Sequence, residues 1–487
     1  MKASRLTRFV LVPIFAAATI PTRLAAQDRP RHYQDDVRYT VKALTSLGGT
    51  SSTAEGVNNK GWLAGDSDLQ GDRTEHAFVW RNGVVTDLGT MGGLNSWAAS
   101  INERGLVAGG AQTSVVDPLG EDWGSGIACG ISPCDGYQNL VLAFAWQQGV
   151  MTPLPTLGGN NGWVLGFNGA VNKRGQVVGF TETAIQDPNC IAPQKLVFEA
   201  VIWGPKAGEI HELPLLPGDS VSAAAAINDH GQVVGGAGPI CGPPSTAGSL
   251  HAVLWERDSV SDLGNLGGVM NNVAWALNNH GQVVGFSDLA GDQTTHAFLW
   301  QRGMMEDLGT LPNDVASFAY SINDTGQVVG QSLDQSGNSR AFIWQDGAMT
   351  DLNSLIPPDS SLYLIQPFSI NDAGEIAGQA FHQSSGATLA VLLVPCDEKH
   401  AQAAGCDDKF ADTAGAQESS ERARVVLPEN VREQLRGHRG FRSSSQPGCL
   451  TPGWAAADEQ AKCHVCPGPK HCCPPGFFCL GGWCHRF

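Results

Sequence analysis

The side chains here whose type and spacing could do chemistry are three histidines at matching places, two acidic turns and thirteen cysteines. His76, His251 and His296 each open a short run ending in tryptophan, as in His76-Ala77-Phe78-Val79-Trp80. An imidazole can bind metal, move a proton or simply hydrogen-bond. These three recur at the period of an internal repeat, so a repetitive fold puts them in separate, equivalent slots. They cannot converge on one metal or substrate, and a structural bond to a neighbouring turn is the expected role. The runs Asp66-Ser67-Asp68-Leu69-Gln70-Gly71-Asp72 and Asp288-Leu289-Ala290-Gly291-Asp292 resemble fragments of calcium loops. A complete loop needs a bidentate Glu at its twelfth position. Ala77 stands there in the first run, so a solvated hairpin is expected and no metal site is assigned. There is no Gly-x-Ser-x-Gly elbow, no His-Glu-x-x-His and no phosphate-cradling loop. No catalytic residue is assigned and no cofactor is called for.

The cysteines fall into three groups. Cys129 and Cys134 share one expected loop, while Cys190 and Cys241 occupy matching loops of adjacent repeats. In an oxidising compartment the pairings 129–134 and 190–241 follow, and Cys396 with Cys406 forms a local third. Seven more crowd the last 39 residues: Cys449, Cys463, Cys466, Cys472, Cys473, Cys479 and Cys484. Such density replaces a hydrophobic core with covalent staples. Zinc at Cys463-x-x-Cys466 is the rival use of one pair. Seven is odd, so one thiol stays free, pairs between chains or joins an upstream cysteine.

An internal repeat decides the fold. The phrase Ile-Asn-x-x-Gly or a close variant recurs seven times, at Asn58, Asn102, Asn172, Asn228, Asn278, Asn323 and Asn371. Each is followed by a valine-rich strand such as Gln282-Val283-Val284-Gly285, then by the tryptophan-ending strand, then by a segment such as Asp307-Leu308-Gly309. Each unit reads as four short strands, with Asn-x-x-Gly as a tight turn whose glycine takes positive φ. Four strands per unit of this length, seven times over, is the pattern of a seven-bladed β-propeller. The seventh unit lacks a fourth strand, and the segment from Tyr39 to Gly49 carries the missing signature. The amino-terminal strand is therefore expected to complete the last blade and close the circle.

Strand alternation then places loops between second and third strands on the same face as the links between blades. The interval from the strand-two glycine to the strand-three alanine is 34, 21 and 17 residues in blades two, three and four, and 11 or 12 elsewhere. Long loops on a rigid scaffold are where function usually sits. Trp97, Trp163, Trp275, Phe318, Tyr320 and Phe368 lie near the starts of first strands, and Trp123 lies in the longest loop. Packing between blades is the plain role for these rings. The sharper one is a set of stacking platforms for a ligand at the channel mouth, with Trp97, Trp123, Trp163, Trp275, Phe318 and Tyr320 as its candidate contacts.

The combination His-Ala-Phe-x-Trp, Asp-Leu-Gly-Thr-x-Gly-Gly and Ile-Asn-x-x-Gly-Gln-Val-Val-Gly resembles the HAF-repeat family of extracellular bacterial proteins, over residues 37–395. That resemblance implies no activity and no catalytic residues. The chain departs from it where Leu142, Glu199, Arg340 and Leu389 replace the histidine. Pro474-Pro475-Gly476-Phe477-Phe478-Cys479, after the Cys472-Cys473 pair, resembles granulin or other knottin-type modules.

Composition agrees with an all-β chain: 60 glycines in 487 residues and only 16 % charged side chains. A net charge of −17 argues against nucleic-acid partners, which need a basic face. Lys2, Arg5 and Arg8 precede an apolar stretch from Phe9 to Pro21 and small residues near Ala26, the features of a secretory signal peptide. No later stretch is long and apolar enough for a membrane helix. The expected organisation is a signal peptide at 1–26, the propeller at 37–395, a flexible linker at 396–448 with a brief helix from Asn430 to Arg436, and a cysteine-rich module at 449–487. The expected product is secreted and binds a glycan or an extracellular protein through its loop-rich face. A polysaccharide hydrolase or lyase at the channel mouth is the alternative, separated from the first by whether inward acids meet there.

Overall fold

The computed structural model describes residues 37–121, 123, 139–165, 169–191, 193–241, 250–397, 399–400, 406 and 424–437, with four short strands beyond 463. The expected signal peptide, Cys129, Cys134, Cys449, Cys463 and Cys466 lie outside these residues. The described fold belongs to the unit Arg38–Phe487.

Seven antiparallel four-stranded blades follow one another along the chain; five are separate sheets, and the first and last are joined into one by a parallel bridge between Ser51 and Thr388. The first six have strands in chain order, with first strands Gly48–Val57, Gly92–Ile101, Gly158–Trp163, Val221–Ile227, Gly267–Leu277 and Ala316–Ile322. The seventh contains Leu362–Ile370, Ile376–His382 and Thr388–Pro395, and its fourth strand is the amino-terminal Tyr39–Ala43. Tyr39 pairs with Pro395, Val41 with Leu393 and Ala43 with Val391. The ends of the chain thus share one blade, which leaves no open sheet edge at that joint.

The repeated residues have distinct jobs. The glycine of each Asn-x-x-Gly turn takes positive φ, from 66° at Gly61 to 86° at Gly231. The glycine after the paired valines serves a close approach instead. A Cβ there would stand 1.9 Å from the Thr53 carbonyl oxygen at Gly65 and 2.1 Å from that of Phe318 at Gly330. First strands cross this glycine at a β-bulge, seen as a register shift between Ala54 and Gly56, Ala274 and Ala276, and Ala319 and Ser321. The bulge re-aims one extra residue per blade, among them Glu55, Trp275 and Tyr320.

Serines lace neighbouring blades together. The Ser96 hydroxyl accepts from the Ala77 backbone N–H at 2.9 Å and donates to the Gly89 carbonyl at 2.6 Å. Ser317 does the same for Ala297 and Gly309. At the closing joint Ser52 accepts from Ala390 at 2.9 Å, so the joint between blades seven and one is built like the others.

The helix read at 430–436 within the expected linker is present, but the segment 424–437 is docked rather than free. Helix α1, Glu429–Gly437, and the residues before it lie on the propeller. Leu427, Val431 and Leu435, spaced to share one helix face, are buried against Tyr363, Ile365 and Phe381 of blade seven. Arg424 pairs with Asp314 and Asp334, and the Leu427 N–H donates to Asn338. Mixed charge hid three aliphatic side chains at helical spacing. Past residue 463, His464–Val465 pairs with Cys472–Cys473 and Phe477–Leu480 with Trp483–Arg486, Cys479 standing opposite Cys484 in the backbone register.

Candidate functional site

One face of the propeller is formed by the Asn-x-x-Gly turns, and it is closed by a cycle of hydrogen bonds. The Asn58 amide donates to the Asn102 carbonyl at 2.9 Å, Asn102 to Asn172, Asn172 to Asn228 and Asn228 to Asn278. Asn278 continues to Asn323, Asn323 to Asn371, and Asn371 returns to Asn58 at 2.9 Å. Each side-chain oxygen also accepts two backbone N–H groups of its own turn, as Asn278 does from His280 and Gln282 at 3.0 Å. Five of the amides, from Asn172 to Asn371, also donate to the side chain four residues on, and these structural bonds explain the repetition of the asparagines without any ligand. A pocket of about 150 Å³, open to solvent, lies within this ring, and Glu103, Lys173, Asp229, Asp324 and Asp372 stand among its lining residues. These charged groups are also occupied: Lys173 pairs with Asp229 at 3.0 Å, and Asp324 and Asp372 accept neighbouring backbone N–H groups.

The opposite face carries the long loops, and they are braced to one another. Cys190 of blade three is disulfide-bonded to Cys241 of blade four, and Cys396 to Cys406 after the last blade. Glu121, in the blade-two loop, accepts the Lys195 and Leu196 N–H groups of blade three at 2.6 and 2.8 Å. Its neighbour is Glu182, which accepts from Asn160, Asn161 and Gln194. Burial, and then the facing Glu121, push the Glu182 carboxyl up to about 8. The two facing carboxyls favour sharing a proton near neutral pH. At the other side of this face, α1 covers part of blades six and seven.

The aromatic candidates lie inside. Trp97, Trp123, Trp163, Trp275, Phe318, Tyr320 and Phe368 are all at most 6 % exposed and belong to one core cluster. Trp97 stacks on Trp163 with centroids 5.2 Å apart, Trp123 on Phe180 at 5.2 Å, and Tyr320 on Phe368 at 5.7 Å. Their faces meet one another rather than solvent, because bulged first strands turn them toward a shared interior. As platforms for a ligand they are covered.

The histidines act through the fourth strand. His76 lies 3.0 Å from both Asp87 carboxylate oxygens, and His296 sits 2.9 and 3.0 Å from those of Asp307. These aspartates also accept the Gly89 and Gly309 N–H groups, so the spacing from His to Asp-Leu-Gly is one turn-fixing unit. His251 bonds instead to Asp219. In blade three the positions become Glu199 and Glu212, whose contact raises Glu199 to about 7, burial contributing most. Of the acidic turns, Asp72 braces Thr50 and Asp292 braces Val269 and Met270. Among the described residues no group of three His, Cys, Asp or Glu side chains is arranged to hold a metal.

What the sequence reading missed is a polar path through blades six, seven and one. Ser339 bonds to Gln331, whose carbonyl accepts from Gln366 at 3.1 Å. Gln366 stands opposite Gln379 in the register of blade seven. The Gln379 amide crosses to blade one and donates to the Ser52 carbonyl and the Thr53 hydroxyl, at 3.2 and 3.0 Å. Thr53 pairs with Asp66. From there a string of acids continues: Asp66 bonds to both Glu55 and Glu75, while Asp68 faces Glu75 across the strands. The Trp97 indole N–H donates to Glu75 at 2.7 Å. Asp66 is buried, whereas Glu55 and Glu75 are half-buried.

Crowding controls the protonation of this string. Burial, then Glu75, lift Glu55 to about 8, and burial, then Glu75 and Asp72, lift Asp68 to about 7. Asp66 and Glu75 are both held well above the ordinary range, first by burial and then by one another or by Glu55. The charges acting on the four are other carboxylates. Carboxyl groups in contact without a cation must share protons. No repeat period predicts this site, because Glu55, Asp66 and Glu75 occupy positions held by other residue types in the remaining blades. The single signal was an acidic residue at the bulge of blade one.

No protein-family model matches this sequence, and the search of curated proteins finds no match. Among solved structures, the chain is similar to the acylaminoacyl peptidase of Pyrococcus horikoshii, with 9 % identity over 72 % of this chain and 53 % of that one, at a TM-score of 0.41. It is similar to the sialidase of Trypanosoma rangeli, with 10 % identity over 80 % and 61 %, at 0.34. It is also similar to the lectin of Aleuria aurantia, with 8 % identity over 64 % and 94 %, at 0.29. The match spans about half the length of the peptidase. These likenesses concern the fold alone.

Proposed function

We propose that this chain is a secreted β-propeller that binds a glycan on its loop face, its repeats of HAF type and the segment 449–487 serving as an accessory interaction module. The observation that carries the reading is the contrast between the two faces. The asparagine face is tied up in its own ring of hydrogen bonds, whereas the other face holds the described parts of the inserted loops, a disulfide between blades and a cluster of carboxyl groups beside the amide-lined path. Carboxyl and amide groups together supply the donors and acceptors that sugar hydroxyls need. Two disulfides accord with export, as does the leader-like start of the sequence. Among the described residues no helix is long and apolar enough to cross a membrane.

A second reading, a polysaccharide hydrolase or lyase, is favoured by the proton-sharing carboxyls of blade one, since acid–base cleavage of glycosidic bonds uses such groups. The test is a glycan array probed with the purified chain, with new reducing ends measured on every glycan retained. Retention without turnover supports binding. Turnover that disappears in Glu55→Gln and Glu75→Gln moves the assignment to the enzyme. An array without any retained glycan overturns both.

A further inference from the structure

Segment 424–437 sits on blades six and seven as a ligand sits in a receptor. Its arginine enters an anionic notch: Arg424 pairs with Asp314, whose carboxylate is fully buried, and with Asp334 at 2.7 Å. Three residues on, the Leu427 backbone N–H donates to the Asn338 side chain at 3.1 Å. Leu427, Val431 and Leu435 then fill an apolar trough formed by Tyr363, Ile365 and Phe381. Arg432 donates to the Ser336 carbonyl at 3.4 Å. Negative charge, an acceptor for a backbone N–H and an apolar floor thus stand at the spacing that an arginine-headed amphipathic helix requires.

The groove does not depend on its occupant. Without Arg424, Asp314 keeps Arg340 at 3.0 Å. Asp334 keeps the Ser336 and Asn338 backbone N–H groups and the Asn338 amide, at 2.8, 2.9 and 2.9 Å. The segment adds no strand to the propeller, since Tyr39–Ala43 completes the last blade. Nor does α1 hold itself, because nine residues are too few for a stable helix in water, so it forms as it docks. Residues 407–423 join Cys406 to Arg424. Fully extended, a tether of that length spans about 60 Å, which puts the groove of a neighbouring molecule within reach.

We propose that the groove between blades six and seven is a helix-docking site, that segment 424–437 masks it as a releasable strap, and that its partner between molecules is the same segment of a second copy of this chain. Within one molecule the tether holds the strap at an effective concentration on the order of millimolar. The masked monomer therefore prevails in dilute solution. Two copies join when a strap is free and a groove is open, and no covalent bond is made or broken. The proposal is independent of the glycan reading.

The experiment uses two variants of the full chain. One disables the strap through Leu427→Ser, Val431→Ser and Leu435→Ser, and the other disables the groove through Phe381→Lys. Sedimentation of each alone should give a monomer, and of their equimolar mixture a one-to-one dimer, since only the mixture unites a free strap with an open groove. A labelled peptide of residues 421–438 should bind the strap variant at least tenfold more tightly than the wild type, whose groove is masked. Arg424→Gln in that peptide should weaken binding about tenfold or more, as loss of a hydrogen bond to a charged group does. Thermal unfolding checks that both variants fold. In the wild type itself, the hydrogen-bonded amides of α1 should exchange at least tenfold faster than those of Ile376–His382, because the strap opens without the blade. Equal exchange of helix and blade, or a peptide that binds the strap variant no better than the wild type, overturns the proposal. A bound peptide without a mixed dimer keeps the groove and removes the second copy as its partner.

Discussion

Replacing one asparagine of the cycle tests whether those seven side chains hold the propeller together. Asn278 is 4 % exposed and its side chain takes part in four hydrogen bonds. It accepts from the His280 and Gln282 backbone N–H groups, and donates to the Asn323 carbonyl at 3.1 Å and to the Gln282 side chain at 2.7 Å. At about 1 kcal/mol net per bond, with more for partners left buried and unpaired, Asn278→Ala should cost about 3–5 kcal/mol. Asn278→Asp separates hydrogen bonding from packing, because its shape is nearly unchanged. It keeps both acceptor bonds but turns an oxygen toward the Asn323 carbonyl. Its cost at pH 7 should match that of alanine, and should shrink in acid, where a protonated carboxyl donates to that carbonyl. Urea unfolding of the wild type and both variants, at pH 7 and pH 4, measures this. A double variant Asn278→Ala with Gln282→Ala should lose less than the sum of the singles, since their side chains share a bond, whereas Asn278→Ala with Asn102→Ala should be additive. A loss below about 1 kcal/mol for Asn278→Ala, or an aspartate variant as stable as wild type at pH 7, would refute the account.

The paired change Cys190→Ser with Cys241→Ser opens a loop of 51 residues. The chain-entropy relation puts the loss near 4 kcal/mol, read as a lower midpoint of unfolding in oxidising buffer, and an unchanged midpoint would deny the bridge a stabilising role. The Glu121–Glu182 latch makes stability depend on pH. An unfolded glutamate loses its proton near pH 4.5, whereas the folded Glu182 keeps it to about 8. Between those values the folded chain binds more protons, so stability falls as pH rises across that window. Glu182→Gln offers Glu121 a permanent donor and should flatten the fall. A pH–stability curve of unchanged slope in that variant would remove the latch.

How much of this was legible in the sequence depends on range. The seven Asn-x-x-Gly turns and the strands around them were readable because a turn's conformation is set within four or five residues, and repetition multiplies a local signal. The amino-terminal strand on blade seven was readable for the same reason: Tyr39 to Gly49 carries a fourth-strand signature that fits the one vacancy. The pairing of Cys190 with Cys241 followed from equivalent positions in adjacent repeats. The role of segment 424–437 did not, since its three aliphatic residues gain meaning only beside Tyr363, Ile365 and Phe381.

The repeat pattern alone determined that this chain is built from seven four-stranded units and that its inserted loops share one face. Only the tertiary structure decided that the candidate aromatics stack on one another, and that Glu55, Asp66 and Glu75 touch. Side chains on neighbouring strands and blades meet according to bulge, twist and register, and each of those is set by through-space packing rather than by distance along the chain. A carboxyl's proton affinity depends on those same neighbours, so the raised proton affinity of the blade-one carboxyls existed nowhere in the order of residues.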